Sequence, residues 1–162
     1  MFFSECSMDI MVREARTSDV VGITTILREL QWFEAIDSET FDDSQKRVME
    51  RLQLCQVDDS HLVYVAEGDD SRVMGYASVH WLPYFYLPGL EGYISELFII
   101  ESDRGHGVGT LILESIKLEA KERGCSRLRL INMRKKESYH REFYKKLGWE
   151  ERTGDFSFEL LL

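Results

Sequence analysis

Across residues 93–123 the hydrophobic period changes from two to about 3.6, and a short glycine string marks the change. The string Arg104-Gly105-His106-Gly107-Val108-Gly109-Thr110 follows an apolar run at 93–100 and opens a stretch, 108–123, whose apolar residues recur at helical spacing. A chain with this order leaves a strand through a glycine turn and enters a helix at once. Alternate glycines let the main chain approach a ligand closely. The first-turn amides of the helix have no intrahelical acceptors, so the junction suits an anion such as a phosphate. A glycine turn that merely starts a helix is the other reading of the same string.

Spacing separates the phosphate loops that such a string can form. A Walker loop ends in Gly-Lys-Ser/Thr, and this one ends Gly109-Thr110 without the lysine. A dinucleotide fingerprint has a glycine three residues after its second, where this chain has Thr110, and residues 127–131 offer no acid for a ribose. Both are disfavoured.

The rest of the chain reads as strand, helix, helix, strand, strand, strand, helix, strand, helix, strand. Residues 10–15 alternate. Thr17 or Ser18 is then placed to cap a helix bearing Val20, Ile23, Leu27 and Leu30 on one face. A second helix at about 42–54 spaces Val48, Leu52 and Cys55 in the same way. Strands are predicted at 61–67, 72–81 and 92–100, with Gly68-Asp69-Asp70 turning between the first two. Val108, Leu111, Ile112, Ile116 and Ala120 form the stripe of the third helix, which Gly124 ends. A strand at 126–131, a helix from the cap Ser138 to Leu147 stopped by Gly148, and a last strand at 155–161 complete the pattern. The expected fold is α/β (α+β), a mixed, mostly antiparallel sheet flanked by about four helices. It is one domain, 9–162, behind an N-terminal extension, 1–8, and Met8 is a second candidate start.

With 162 residues the chain can bury a proper core, and its net charge of −9 argues against nucleic acid as a partner. No stretch is long enough for a membrane span and no signal peptide is evident, so a cytoplasmic protein is expected. Cys6, Cys55 and Cys125, odd in number and far apart, fit reduced thiols. His61, His80, His106 and His140 have no ligand-like spacing, so no metal site is proposed. No serine nucleophile elbow is present. An acidic surface favours a cationic acceptor, whereas an anionic ligand needs a local basic patch, for which Arg104, Arg134, Lys135 and Lys136 are available.

Arg104-x-x-Gly107-x-Gly109 after an apolar strand resembles the coenzyme A loop of the GNAT N-acetyltransferase family. Glu142-Phe143-Tyr144-Lys145-Lys146-Leu147-Gly148-Trp149 resembles the Phe-Tyr-x-x-x-Gly-Phe element near the C-terminus of the same family, in the family's order and at about its spacing. The resemblance implies a GNAT fold and acetyl-CoA as the acyl donor, and without a nucleophile elbow no covalent acyl-enzyme is expected. It implies that the main chain of Arg104, Gly105, His106, Gly107, Val108, Gly109 and Thr110 cradles the pyrophosphate. The main chain of Leu97, Phe98 and Ile99, splayed from the next strand, then pairs with the pantetheine arm. Two departures limit the transfer: Glu101 stands where the family often has proline, and Glu137 where many members have asparagine. Asn132 is kept as a substitute coenzyme contact.

Two residues are candidates for the proton transfers. Family resemblance implies that the Tyr144 hydroxyl protonates the departing thiolate, and on a continuous helix Tyr144 lies about 100° round from the stripe Tyr139, Phe143, Leu147. Strand alternation puts Ile94, Glu96, Phe98 and Ile100 on one face and Tyr93, Ser95, Leu97 and Ile99 on the other. Glu96 is thus a lone carboxylate among apolar neighbours, where desolvation raises its pKa toward that of a useful base. A hydrogen-bonded bystander is the rival reading. Trp32, Phe33, Glu34 and Asp37 are expected to face an aromatic loop, 81–89, containing Trp81 and Tyr84, around an amine. The expected function is acetyl transfer to a primary amine of a small cationic molecule by direct attack in a ternary complex. Acetylation of a protein or peptide amine, or a non-catalytic acyl-CoA-binding module, are the alternatives. A homodimer through the aromatic loop or the last strand is compatible with the sequence.

Overall fold

The computed structural model describes residues 9–153 and Leu160. The extension 1–8 and, apart from Leu160, the expected last strand 155–161 lie outside them. The chain divides into two units, residues 1–130 and 131–162.

The first unit is a five-stranded sheet in sequence order: β1 Met11–Glu14, β2 His61–Glu67, β3 Val73–Leu82, β4 Glu91–Ile99 and β5 Arg127–Leu130. Neighbours from β1 to β4 are antiparallel, and β5 runs parallel to β4. A continuous apolar run, residues 62–66, places β2 where the sequence predicts it. The β2–β3 turn closes with Gly68 N donating to Arg72 O, and the Asp70 carboxylate accepts from Arg72 N. Residues 77, 79 and 81 of β3 face one side of the sheet and Tyr76, Ser78 and His80 the other.

Helices α1 (Val20–Leu30) and α3 (Phe41–Cys55) cover one face, where Ile23, Ile26, Leu30, Val48 and Leu52 pack with Val65 and Tyr76. Between them lies α2 (Glu34–Asp37), a single turn that sequence periodicity does not reveal. Arg28 ties it down, donating from Nη1 to Ile36 O, Glu39 O and Ser44 Oγ. Thr40 caps α3 by accepting from Asp43 N at 3.2 Å. On the other face, α4 (Val108–Glu122) buries Val108, Ile112, Leu113, Ile116 and Ala120. The expected stripe is corrected at one position: Leu111 faces outward and Leu113 inward. Gly124, at φ +68°, ends α4 as predicted, with Cys125 N donating to Ala120 O.

Neither Thr17 nor Ser18 caps α1. Arg16 precedes a 3₁₀ turn, Thr17–Asp19, and the buried Asp19 carboxylate accepts from Arg16 N and from both terminal nitrogens of Arg13. Burial pushes the Asp19 carboxyl up, but these hydrogen bonds prevail and hold it below its ordinary range. A second buried acid, Asp103, takes a bidentate pair from Arg72 at 2.7 and 3.1 Å and fastens the exit of β4 to the β2–β3 turn.

In the second unit the helix predicted from Ser138 to Leu147 is two single turns, α5 (Glu137–His140) and α6 (Phe143–Lys146). Glu142 breaks it with a left-handed φ of +53°. Tyr139, Phe143 and Leu147 are therefore not one continuous stripe. Ser138 donates to Asn132 Oδ1 instead of capping.

Candidate active site

The glycine string becomes the exit from β4 and the start of α4. Gly105 and Gly107 both stand at φ +83°, and a Cβ built on either meets no heavy atom within 4 Å. No side chain caps α4, so its leading amides point out beside open space, with the helix dipole behind them. Val108 is buried and offers only main chain, while His106 is exposed. Arg104 donates from Nε to Ile99 O at 3.2 Å and so fastens the loop to the end of β4. A pyrophosphate fits this arrangement: it needs amide donors and backbone free of Cβ atoms, and both are present.

The β4–β5 ladder ends at Ile94↔Leu130, so among the described residues Ser95–Ile99 has a strand neighbour on the β3 side alone. Just there the β3–β4 register slips: Val79 opposes Ile94 and Ser78 opposes Glu96, leaving Ser95 as the extra residue of a bulge. The bulge corrects the expected alternation. Ile94 shares the α4 face with Val79, whereas Glu96 and Phe98 keep the face of α1 and α3. Tyr93 moves to that face too, its ring beside His80, and Ser95 Oγ lies 2.8 Å from His80 Nε2.

Glu96 thereby reaches a cleft of about 320 Å³ between the sheet and α1, α2 and α3. Ile23, Leu27, Phe33, Val48, Leu52 and Val63 give it apolar walls, and its polar groups include Glu96, Tyr76, Ser78, Arg47 and Arg51. Burial raises the Glu96 carboxyl above its ordinary range, only partly opposed by the neighbouring Tyr76 hydroxyl. Tyr76 is itself buried, and its hydroxyl completes no hydrogen bond among the described residues. Burial, then the charge of Glu96, pushes its pKa well up. Cys55 responds in the same way, so its thiol stays protonated and poorly nucleophilic.

The predicted acceptor residues separate. Phe33 lines the cleft, and Trp32 packs edge-on to Phe98 with ring centroids 6.0 Å apart. Glu34 and Asp37 are exposed on α2, whose Ala35 and Ile36 are the residues that line the cleft, so the expected acidic wall is absent from the lining. Trp81 is a correction. It belongs to β3, is buried on the α4 face, and carries the Arg123 guanidinium 5.1 Å above its ring. Tyr84 packs on Tyr86 outside the cleft lining. Arg47, Arg51 and Tyr76 were not anticipated. Their signal was a polar i, i+4 row beside Val48 and Leu52, and the alternation of β3.

Tyr144 and Asn132 lie in the second unit. Tyr144 is half-buried against Phe143 and Trp149, with centroids at 5.0 and 6.0 Å, and burial pushes its hydroxyl up to about 12. It is protonated at neutral pH and able to donate. Asn132 accepts from Ser138.

Comparison with known proteins gives a consistent result. The model of the acetyltransferase (GNAT) family matches residues 26–149. The thialysine N-epsilon-acetyltransferase of Mus musculus is 28% identical over 153 residues, covering 88% of this chain and 85% of that protein. Its counterpart in Bos taurus is 25% identical, covering 89% and 86%. Among solved structures, a transcriptional regulator from Bacillus halodurans C-125 superposes with a TM-score of 0.80 at 20% identity, covering 94% of this chain and all of that one. Glucosamine-6-phosphate N-acetyltransferase from Arabidopsis thaliana gives 0.72 at 22%, covering 93% and 98%.

Proposed function

The chain belongs to the GNAT acetyltransferase family, and on that premise we propose that it transfers the acetyl group of acetyl-CoA to the terminal primary amine of a small amino-acid-like acceptor. The observation that carries the reading is the position of Glu96: a desolvated carboxylate beside the bulge in β4, three residues before the strand ends and eight before Arg104 opens the glycine loop. The thialysine N-epsilon-acetyltransferases support the acceptor class, since their named substrate is an amino acid with a side-chain amine.

Bound acetyl-CoA supplies the electrophilic thioester. The first-turn amides of α4 and the main chain of residues 105–107 hold the pyrophosphate, and the edge of β4 at residues 97–99, which has no partner on its β5 side among the described residues, holds the pantetheine arm. Glu96 takes a proton from the acceptor ammonium, directly or through water, and its raised pKa makes it a stronger base than an exposed glutamate. Tyr144, by its match to the family motif, gives its proton to the departing sulfur. With a thiol pKa of about 8.5, that donation assists the reaction without being indispensable.

The test joins binding to turnover. Calorimetric titration with acetyl-CoA is expected to show micromolar binding that Gly107→Glu abolishes through bulk and charge. Thialysine is then expected to yield acetylated product with matching release of CoA thiol. Folded protein that binds no acetyl-CoA, or that binds it and acetylates no amine in a panel of amino acids, polyamines and peptides, overturns the reading.

A further inference from the structure

Two arginines line the acceptor cleft, and no step above uses them. Arg47, Arg51 and Cys55 recur every four residues along α3, and all three line the cleft that contains Glu96 and Tyr76. Their order is anchored at one end, because Cys55 lies close enough to Glu96 for that carboxylate to raise its thiol. At about 1.5 Å per residue, Arg51 stands about 6 Å and Arg47 about 12 Å further along the helix axis. The cleft thus has a carboxylate near one end, guanidinium groups toward the other, and the side chains of Ile23, Leu27, Val48 and Leu52 in its wall.

The two arginines differ in commitment. Arg47 is paired with Glu39, which also lies within reach of Ser44 Oγ. Arg51 makes no hydrogen bond or ion pair among the described residues. Near the opposite end, Glu96 and Tyr76 line the cleft, the Tyr76 hydroxyl itself buried and without a hydrogen-bond partner among the described residues. A ligand with an ammonium group at one end and an anion at the other, joined by an apolar chain, would pair with Glu96 and Arg51. A polyamine would instead set a second cation against Arg51.

Resting on the transferase reading, we propose that Arg51 is a specificity residue that binds the carboxylate of the acceptor. The acceptor class is then a linear amino acid whose aliphatic chain separates its terminal amine from its carboxylate. The Arg51 guanidinium forms a charge-assisted pair with that carboxylate and repels acceptors that carry a cation there.

The test compares thialysine with thialysine methyl ester, which keeps the amine and chain but removes the negative charge, and with spermidine. Wild type, Arg51→Gln and Arg51→Lys are assayed by CoA thiol release and product mass, with circular dichroism confirming the fold of each. Wild type is expected to favour thialysine over its ester by at least about tenfold in kcat/KM. Arg51→Gln erases the preference by raising KM for thialysine alone, and Arg51→Lys restores part of it. If wild type uses the ester or spermidine as well as thialysine, or if Arg51→Gln lowers all acceptors alike, the arginine proposal fails and the transferase reading stands. If no acceptor is acetylated, both fail.

Discussion

Gly107 and Gly124 sit at opposite ends of α4, both at positive φ, and the pair separates a stability effect from a binding effect. Their φ values are +83° and +68°, and a Cβ at either position has no heavy atom within 4 Å. Alanine at either site therefore pays only for the left-handed backbone, about 1 kcal/mol, with no steric addition. For a chain of this length that lowers Tm by roughly 2–4 °C. If the loop holds the pyrophosphate, the new methyl at 107 occupies space the anion needs, whereas the methyl at 124 does not. Gly107→Ala is expected to weaken acetyl-CoA binding at least tenfold, about 1.4 kcal/mol, and Gly124→Ala to leave it unchanged. Thermal melts and calorimetric titration of the two variants measure both quantities. Equal affinities would refute the phosphate-loop assignment. A melt for Gly107→Ala far below that for Gly124→Ala would refute the open space in front of the loop.

Tyr144→Phe is expected to lower kcat by about 10- to 100-fold with little change in KM for acetyl-CoA, because the protonated hydroxyl acts only as the sulfur departs; an unchanged kcat removes Tyr144 from the mechanism. Arg72→Ala leaves Asp103 buried and unpaired, and chemical denaturation is expected to show a loss of about 2 kcal/mol, moderated because Arg72 itself is 42% exposed. The raised pKa of Glu96 means that the folded state holds its proton more tightly than the unfolded state does. Stability is then lost as pH rises from the ordinary glutamate range through the folded value. Glu96→Gln is therefore expected to raise Tm at pH 7 but not at pH 4, and a lower Tm at pH 7 would contradict the desolvation.

The strands were legible where each pattern depends on one element alone. His61–Glu67 is marked by its own apolar run between polar ends and bounded by Gly68, and the turn of α4 into β5 follows from Gly124. The bulge at Ser95 was not legible, because it is a property of the register between β3 and β4, and nothing in the β4 sequence marks it. It reassigned Ile94 and Tyr93 while leaving Glu96 and Phe98 on the expected face. Glu142 broke a helix at a residue type that favours helix, so nothing in the local preference marks its left-handed φ. The aromatic density around Trp81 suggested one loop. In fact β3 continues through Leu82, and strand alternation turns Trp81 to the opposite face from Glu96. Arg47 and Arg51 looked like the solvated side of an amphipathic helix, and only the packing of α3 beside β2 places that side on a cleft.

The base role of Glu96 is tested by the pH dependence of kcat/KM for thialysine with wild type and Glu96→Gln, followed by mass of the acetylated product. Wild-type turnover is expected to rise with pH through the elevated Glu96 pKa, and the variant to be slowed about 100-fold or more and to lack this limb. A variant with the wild-type rate and the wild-type profile would remove Glu96 from the reaction.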